Sequence, residues 1–143
     1  MICVKESLKT EVIRIVRLSI AELIEIKIQT SLRFISIVLL YRSLSSSASV
    51  FVIDLHLLHP LSASEHTIIL GDFNVNRNTT PSLYEKVFQH FKTNDLQQCM
   101  TNPTTIYGST LDLVFTGGHL PSIIYNGCYY SDHMTLLIQK KIQ

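Results

Sequence analysis

A mixed α/β class is predicted by three observations. Apolar segments with strand-like alternation or β-branched runs recur along the chain, two stretches carry helical spacing, and the two kinds are interleaved. The 143 residues are 46% apolar and 16% charged, with 5 Gly, 4 Pro and no Trp. This length fits one domain able to bury a core. The hydrophobicity excludes intrinsic disorder. With 12 basic against 11 acidic residues the formal charge is +1, so a dedicated polybasic nucleic-acid binder is not expected. Any DNA contact must come from a local groove. A fragment of a larger domain would show the same low charge, because its buried seam would count here as surface.

Residues 12–28 are rich in Ile, Leu and Val, and the period-two pattern from Ile24 predicts a strand at 24–28. Residues 32–41 form a nearly continuous β-branched run, as expected of a strand covered on both faces. A Ser-rich loop follows at 43–49. Residues 50–58 place Val50, Phe51, Asp54, Leu55 and Leu58 at helical spacing, ended by Pro60. Residues 67–70 are a short strand running into Gly71-Asp72-Phe73-Asn74. A second helix opens at Thr80-Pro81-Ser82, with Ser82 and Glu85 spaced as a capping box and Leu83, Val87, Phe88 and Phe91 as its apolar face. Residues 111–115 read as a strand, and Met134, Leu136 and Ile138 alternate along a last one.

Cys3, Cys99 and Cys128 are scattered and contain no CxxC pair, which supports neither a zinc site nor a disulfide framework. Reduced thiols and an intracellular setting, nuclear or cytoplasmic, are expected. No apolar run approaches the roughly 20 residues of a membrane helix, and the opening residues are not a signal peptide. His56 and His59 have a spacing that can put two ligands on one helix face. No third ligand follows at suitable spacing, and two exposed histidines are the expectation. Tyr125, Tyr129 and Tyr130 fit packing better than base stacking, and Lys140 and Lys141 read as a solvated tail.

Three patterns at strand ends carry chemistry. In Gly71-Asp72-Phe73-Asn74 a carboxylate and a carboxamide two residues apart point the same way. The first can take a proton from water and the second can donate to an anionic oxygen. Taken alone, Asp-x-Asn after a strand also reads as a turn. Asp112, within Ser109-Thr110-Leu111-Asp112-Leu113-Val114-Phe115, lies in an apolar strand where burial demands a cation or donor, unless the strand is an exposed edge. In Tyr130-Ser131-Asp132-His133 the adjacent side chains diverge, so Asp132 and His133 serve different partners.

In this order the three patterns resemble the C-terminal motif series of the endonuclease/exonuclease/phosphatase family, which includes apurinic-site endonucleases, DNase I and the endonuclease domains of non-LTR retrotransposons. The retrotransposon type is the nearest. The stretch Val38-Leu39-Leu40-Tyr41-Arg42-Ser43-Leu44-Ser45-Ser46-Ser47 resembles its "YRPPSS" segment, and Asn102-Pro103-Thr104-Thr105 leading into Ser109-Thr110-Leu111-Asp112 resembles "PTR…STLDLIF". The likeness covers about residues 3–139. It implies a DNase I-like two-sheet α/β sandwich, N-terminally truncated, and a divalent-metal phosphodiesterase acting on DNA. By resemblance Asp72 orients or deprotonates water, and Asn74 holds that water or a phosphate oxygen. Asp112 fixes His133, which stabilises the transition state. Asp132 meets weakly bound Mg²⁺ or Mn²⁺, while Tyr41 and Ser131 meet the substrate.

The family pattern begins earlier, with an Asn and a metal-binding Glu. The stretch Cys3-Val4-Lys5-Glu6-Ser7-Leu8 resembles the strand after both, so Glu6 does not replace that Glu. Residues 1–143 are therefore expected to be a partial domain, with one apolar sheet face uncovered. Leu44 and Thr105 also replace a family Pro and Arg. Three readings follow: a remnant with weak or no activity alone, an endonuclease completed by another segment or chain, or a non-enzymatic interaction fragment using its apolar seam.

Overall fold

The structure is a computed structural model that describes residues 3–31, 33–44, 47–57, 66–128 and 130–140. Strands β1 (Lys9–Arg17) and β2 (Ala21–Gln29) form an antiparallel hairpin closed by the Leu18 N–H donating to the Ala21 carbonyl at 2.8 Å. Strand β3 (Phe34–Arg42) pairs antiparallel with β2 along its whole length. It then pairs parallel with β4 (Thr67–Asp72), a connection that requires a crossover and contains α1 (Ala48–Leu57). Helix α2 (Pro81–Lys92) follows, then the short edge strand β5 (Gln97–Gln98) and β6 (Asp112–Thr116), which lies antiparallel to both β4 and β5. The sheet order is β1-β2-β3-β4-β6-β5. Strands β7 (Ser122–Asn126) and β8 (Thr135–Gln139) form a separate two-stranded sheet.

The two faces of the main sheet are covered differently. On one, both helices close over Leu23, Val38, Leu40, Ile69, Leu113 and Phe115. Phe73 sits at the centre, meeting the rings of Phe51, Phe91 and Phe115 edge-on at centroid distances of 6.4, 6.0 and 5.7 Å. On the other face the β7–β8 hairpin lays Ile123, Tyr125, Leu136 and Ile138 against Ile68, Met100 and Val114. The hairpin stops short of β1. There Val12 and Ile15, which share this face through their partners Ile26 and Ile24, remain 59% and 66% exposed.

Close packing of β3 on β4 requires Gly71. Its φ is +149°, and a Cβ there would stand 1.7 Å from the Leu40 carbonyl oxygen.

Several expectations are corrected. The region 12–28 holds two strands, because a bulge between Val12 and Arg14 breaks the period in β1 and its solvated edge carries charges. Strand β3 is covered fully on the helix face only, since Ile35, Ile37 and Leu39 are half-buried. The capping box is absent: Thr80 is the N-cap of α2 and makes no side-chain cap bond, because its hydroxyl is exchanged with the Asn76 backbone. Strands β5 and β7 were not expected, β5 being too short and β7 lacking polar alternation. Leu32, Ser45, Ser46, Leu58, His59, Pro60, Tyr129 and Lys141 lie outside the described residues. Tyr125 packs as expected and its hydroxyl accepts from the Thr101 and Asn102 N–H groups, while Tyr130 is 98% exposed. The three cysteines are free thiols, and burial raises the Cys99 pKa to about 11. Among the described residues no helix is long and apolar enough to cross a membrane.

Candidate functional site

Register alone assembles the centre of the site. Tyr41 at the end of β3 is the pairing partner of Asp72 at the end of β4, and Asp72 is the partner of Asp112 at the start of β6. Directly paired residues project to one face, so the phenol and two carboxylates stand in a row on the hairpin side of the sheet. Asp72 and Asp112 are half-buried, whereas Tyr41 is exposed.

The sequence reading brings Asp72 and Asn74 together as a local pair, and the structure shows how each is spent. The Asn74 backbone N–H donates to Asp72 Oδ1 at 3.0 Å, an Asx turn that places Asn74 at a φ of +48°. The Asn74 amide Nδ2 donates to the Arg42 carbonyl at 2.7 Å. In return Arg42 Nη1 donates to the Asn74 carbonyl at 2.8 Å and reaches the Phe73 carbonyl at 3.5 Å. Arg42 is buried with its guanidinium 5.1 Å from the centroid of Phe51. This reciprocal clamp holds the loop that carries Asp72, and one Asn74 amide hydrogen is committed to it.

The last two predicted residues arrive from beyond β6. His133 Nδ1 lies 2.8 Å from Asp112 Oδ2, a contact that puts the proton on Nδ1. Asp112 thus receives the donor its half-buried position demands. Ser131 caps this turn, its Oγ accepting from the His133 N–H at 3.1 Å. Asp132 diverges from His133 and is exposed, and its backbone carbonyl accepts from the Ile106 N–H at 2.8 Å.

Sequence reasoning missed the residue that laces these parts together. Thr104 is fully buried, and its Oγ1 accepts from both the Leu111 and Asp112 N–H groups at 3.0 Å. Its carbonyl accepts from the Met134 N–H at 2.7 Å, and the neighbouring Thr105 bridges to His133. One residue therefore fixes the backbones on both sides of the Asp112–His133 pair. The position was visible only as part of a motif, since a buried threonine hydroxyl has no local sequence signal. Glu22 was missed too. It pairs with Tyr41 and extends the row toward Arg17, whose Nε lies 3.6 Å from Glu22 Oε1 on an exposed surface.

Burial pushes the Asp72 carboxyl above its ordinary value, and the negative charge of Asp112 adds to this. The Asn74 N–H and His133 act the other way without cancelling it. Burial alone would lower His133, but the hydrogen bond and charge of Asp112, with help from Asp72 and Asp132, raise it above 6.5. The row therefore offers a carboxylate with enhanced affinity for a proton beside an imidazole that favours its charged form.

The exposed carboxylate of Asp132 is a hard oxygen donor of the type Mg²⁺ takes. Among the described residues, however, no three His, Cys, Asp or Glu side chains converge on a point that could hold a metal ion. The described donor set does not by itself form a metal cage.

Comparison with known proteins gives the family and the fold. A family described as Endonuclease-reverse transcriptase matches residues 35–137, from β3 through most of β8. No curated protein matches the chain. Among solved structures, the endonuclease domain of TRAS1, a telomere-specific non-LTR retrotransposon, superposes with a TM-score of 0.69 at 15% identity, covering 81% of this chain and 60% of that one. An endonuclease/exonuclease/phosphatase family protein from Leptotrichia buccalis C-1013-b gives 0.59 at 16% identity over 85% of this chain and 54% of that one. The human Nocturnin catalytic domain with bound sulfate gives 0.60 at 18% identity over 90% and 58%. These likenesses establish a DNase I-like α/β fold, and the chain spans between about half and three fifths of the solved domains it matches.

Proposed function

The chain belongs to the Endonuclease-reverse transcriptase family, and from this premise we propose that the row of Tyr41, Asp72 and Asp112 with His133 is a phosphodiesterase site directed at DNA. The observation that carries the reading is the 2.8 Å contact between His133 Nδ1 and Asp112 Oδ2 beside the in-register Asp72. Phosphodiester hydrolysis needs a proton acceptor for the attacking water and positive charge where the transition state gathers negative charge. Asp72, held by burial above the ordinary carboxyl range, is the acceptor. His133, whose charged form Asp112 favours, turns Nε2 toward the phosphoryl oxygens. Tyr41 is the substrate-facing phenol, and the remaining donor capacity of Asn74 and the hydroxyl of Ser131 serve phosphate oxygens. Such a substrate fits an intracellular protein, nuclear or cytoplasmic.

A divalent ion, Mg²⁺ or Mn²⁺, would supply charge neutralisation at the phosphate, with Asp132 as its protein contact. Because the described donors do not converge, this ion is expected to bind weakly and the chain alone to cleave slowly. In this reading residues 1–143 act as part of a larger domain.

Two measurements test the proposal. A short DNA duplex should shift the His133 imidazole resonances, and His133→Ala should weaken binding. Resonances that stay put on saturation with DNA would overturn the site. Nicking of supercoiled plasmid in Mg²⁺ is expected to be no faster for the chain than for Asp72→Ala. Rapid nicking lost in that variant would uphold the site and overturn the weak-activity part.

A second reading is favoured by the exposed Val12 and Ile15: a non-enzymatic fragment that associates through its apolar sheet face. If association is unchanged when Asp72, Asp132 and His133 are all replaced by Ala, that role is independent of the site.

A further inference from the structure

The helix face of the sheet, opposite the Asp72 row, carries a second arrangement of ligating side chains. His56 sits in the last turn of α1 and His90 in the last turn of α2. Sequence spacing suggested only His59 as a companion for His56, but the fold brings His90 to it from another helix. Their ring centroids are 5.2 Å apart with planes at 83°. The His90 ring also meets that of Phe91, fully buried, at 5.2 Å, so packing fixes it on one side. Both rings line a cleft of about 380 Å³ between the helices, together with Gln89, Thr93 and Lys86.

The geometry points to this cleft as a binding site for one divalent transition-metal ion of the zinc, copper or nickel type, held by His56 and His90. Two imidazoles sharing a tetrahedral ion at a metal–nitrogen distance of about 2 Å have ring centres roughly 5 Å apart, the separation already present. The edge-to-face angle must change, and His56 is exposed, so its ring can turn about its terminal bond. Both histidines lie at helix C-termini, where the backbone dipoles favour a cation. Imidazole nitrogen selects borderline metals over Mg²⁺, which keeps to oxygen. No third His, Cys, Asp or Glu joins the pair among the described residues, so water and the Gln89 side chain complete the shell. Lys86 in the same cleft opposes the ion by its charge and sets a ceiling on affinity.

The test uses the full chain without a polyhistidine tag, titrated with Zn²⁺ and followed by calorimetry and by the imidazole resonances. Saturable one-to-one binding that shifts His56 and His90 is expected, with Mg²⁺ producing no such shift. His56→Ala should weaken Zn²⁺ binding about tenfold or more, and Lys86→Gln should tighten it. His90→Ala removes a ring packed on Phe91, so the exposed His56 variant keeps the test decisive if the former does not fold. Zn²⁺ binding unchanged in His56→Ala, non-saturable uptake, or shifts centred on His133 would each overturn the proposal. None of these outcomes depends on whether the Asp72 row cleaves DNA.

Discussion

The two faces of the main sheet are made from the same strands and obey different rules. The helix face is dense: Phe51, Phe73, Phe91 and Phe115 interlock, with Leu40, Leu55 and Ile69 filling around them. The opposite face is layered by the β7–β8 hairpin over β4, β6 and Ile35 of β3, Ile26 and Ile28 of β2 are buried on it as well, and the cover gives out at β1. The candidate phosphodiesterase row sits at the end of the thin face. Its rigidity therefore comes from hydrogen bonds rather than ring packing: the Arg42–Asn74 clamp on one side and the Thr104 lacing on the other. Ring packing holds the strands in register, and hydrogen bonds at the strand ends aim the side chains.

The sharpest way to break this contrast is at the packed centre. Phe73→Ala empties a site ringed by three aromatic side chains and is expected to cost about 4 kcal/mol, enough to unfold a marginal domain. Denaturant melts check it. A loss under about 1 kcal/mol would mean that the helix face is not the principal core.

Thr104→Val tests the polar side. The substitution keeps the volume and removes the acceptor for two backbone N–H groups, at an expected cost of about 2 kcal/mol. It should also disturb the Asp112–His133 contact, so the His133 titration measured by NMR should move. Thr104→Ser retains the oxygen and should leave both quantities near their starting values.

A smaller effect distinguishes charge from packing. His133 is raised above 6.5 in the folded protein, so it stabilises the fold fully below that value and this contribution is lost as pH rises through the folded pKa. Asp72 is also raised. Its protonated form favours the fold, and that contribution is lost as pH rises from the ordinary carboxyl range through its folded value. Stability should therefore decline from mildly acidic toward alkaline pH. Asp112→Asn should bring the His133 pKa down toward 6.5 and flatten the upper part of that decline. A profile identical to that of the unsubstituted chain would show that Asp112 does not set the imidazole charge.

Much of this was legible in the sequence because its signals are local. The α2 face was read as Leu83, Val87, Phe88 and Phe91, of which all but the half-buried Phe88 are buried, and the strand-end motifs marked Asp72, Asp112 and His133. What failed were features fixed at long range. The edge strand β1 hides its period behind a bulge, the Ser82–Glu85 spacing forms no cap because Thr80 begins the helix, and β7 exists only through its pairing with β8. Arg42 and Thr104 act through partners about 30 and 8 residues away, and neither carries a mark of this in its own neighbourhood. The need for Gly71 likewise comes from Leu40 on the adjacent strand.

The smallest effect on stability is expected where the thin face is bare, and it is the most informative about what that face is for. Ile15 is 66% exposed on β1, so Ile15→Thr removes little buried area and keeps a β-branched side chain suited to a strand. Its stability should change by no more than about 0.5 kcal/mol. Self-association should change far more, because Ile15 and Val12 present an apolar surface beside an open strand edge. The chain is expected to be oligomeric or aggregation-prone in sizing experiments, and Ile15→Thr to shift it toward monomer without moving the melt. If the unsubstituted chain is already a monomer that unfolds cooperatively, the bare face needs no cover. A thinly covered sheet is then enough to hold the Asp72 row, and the hydrogen-bonded clamps carry its rigidity.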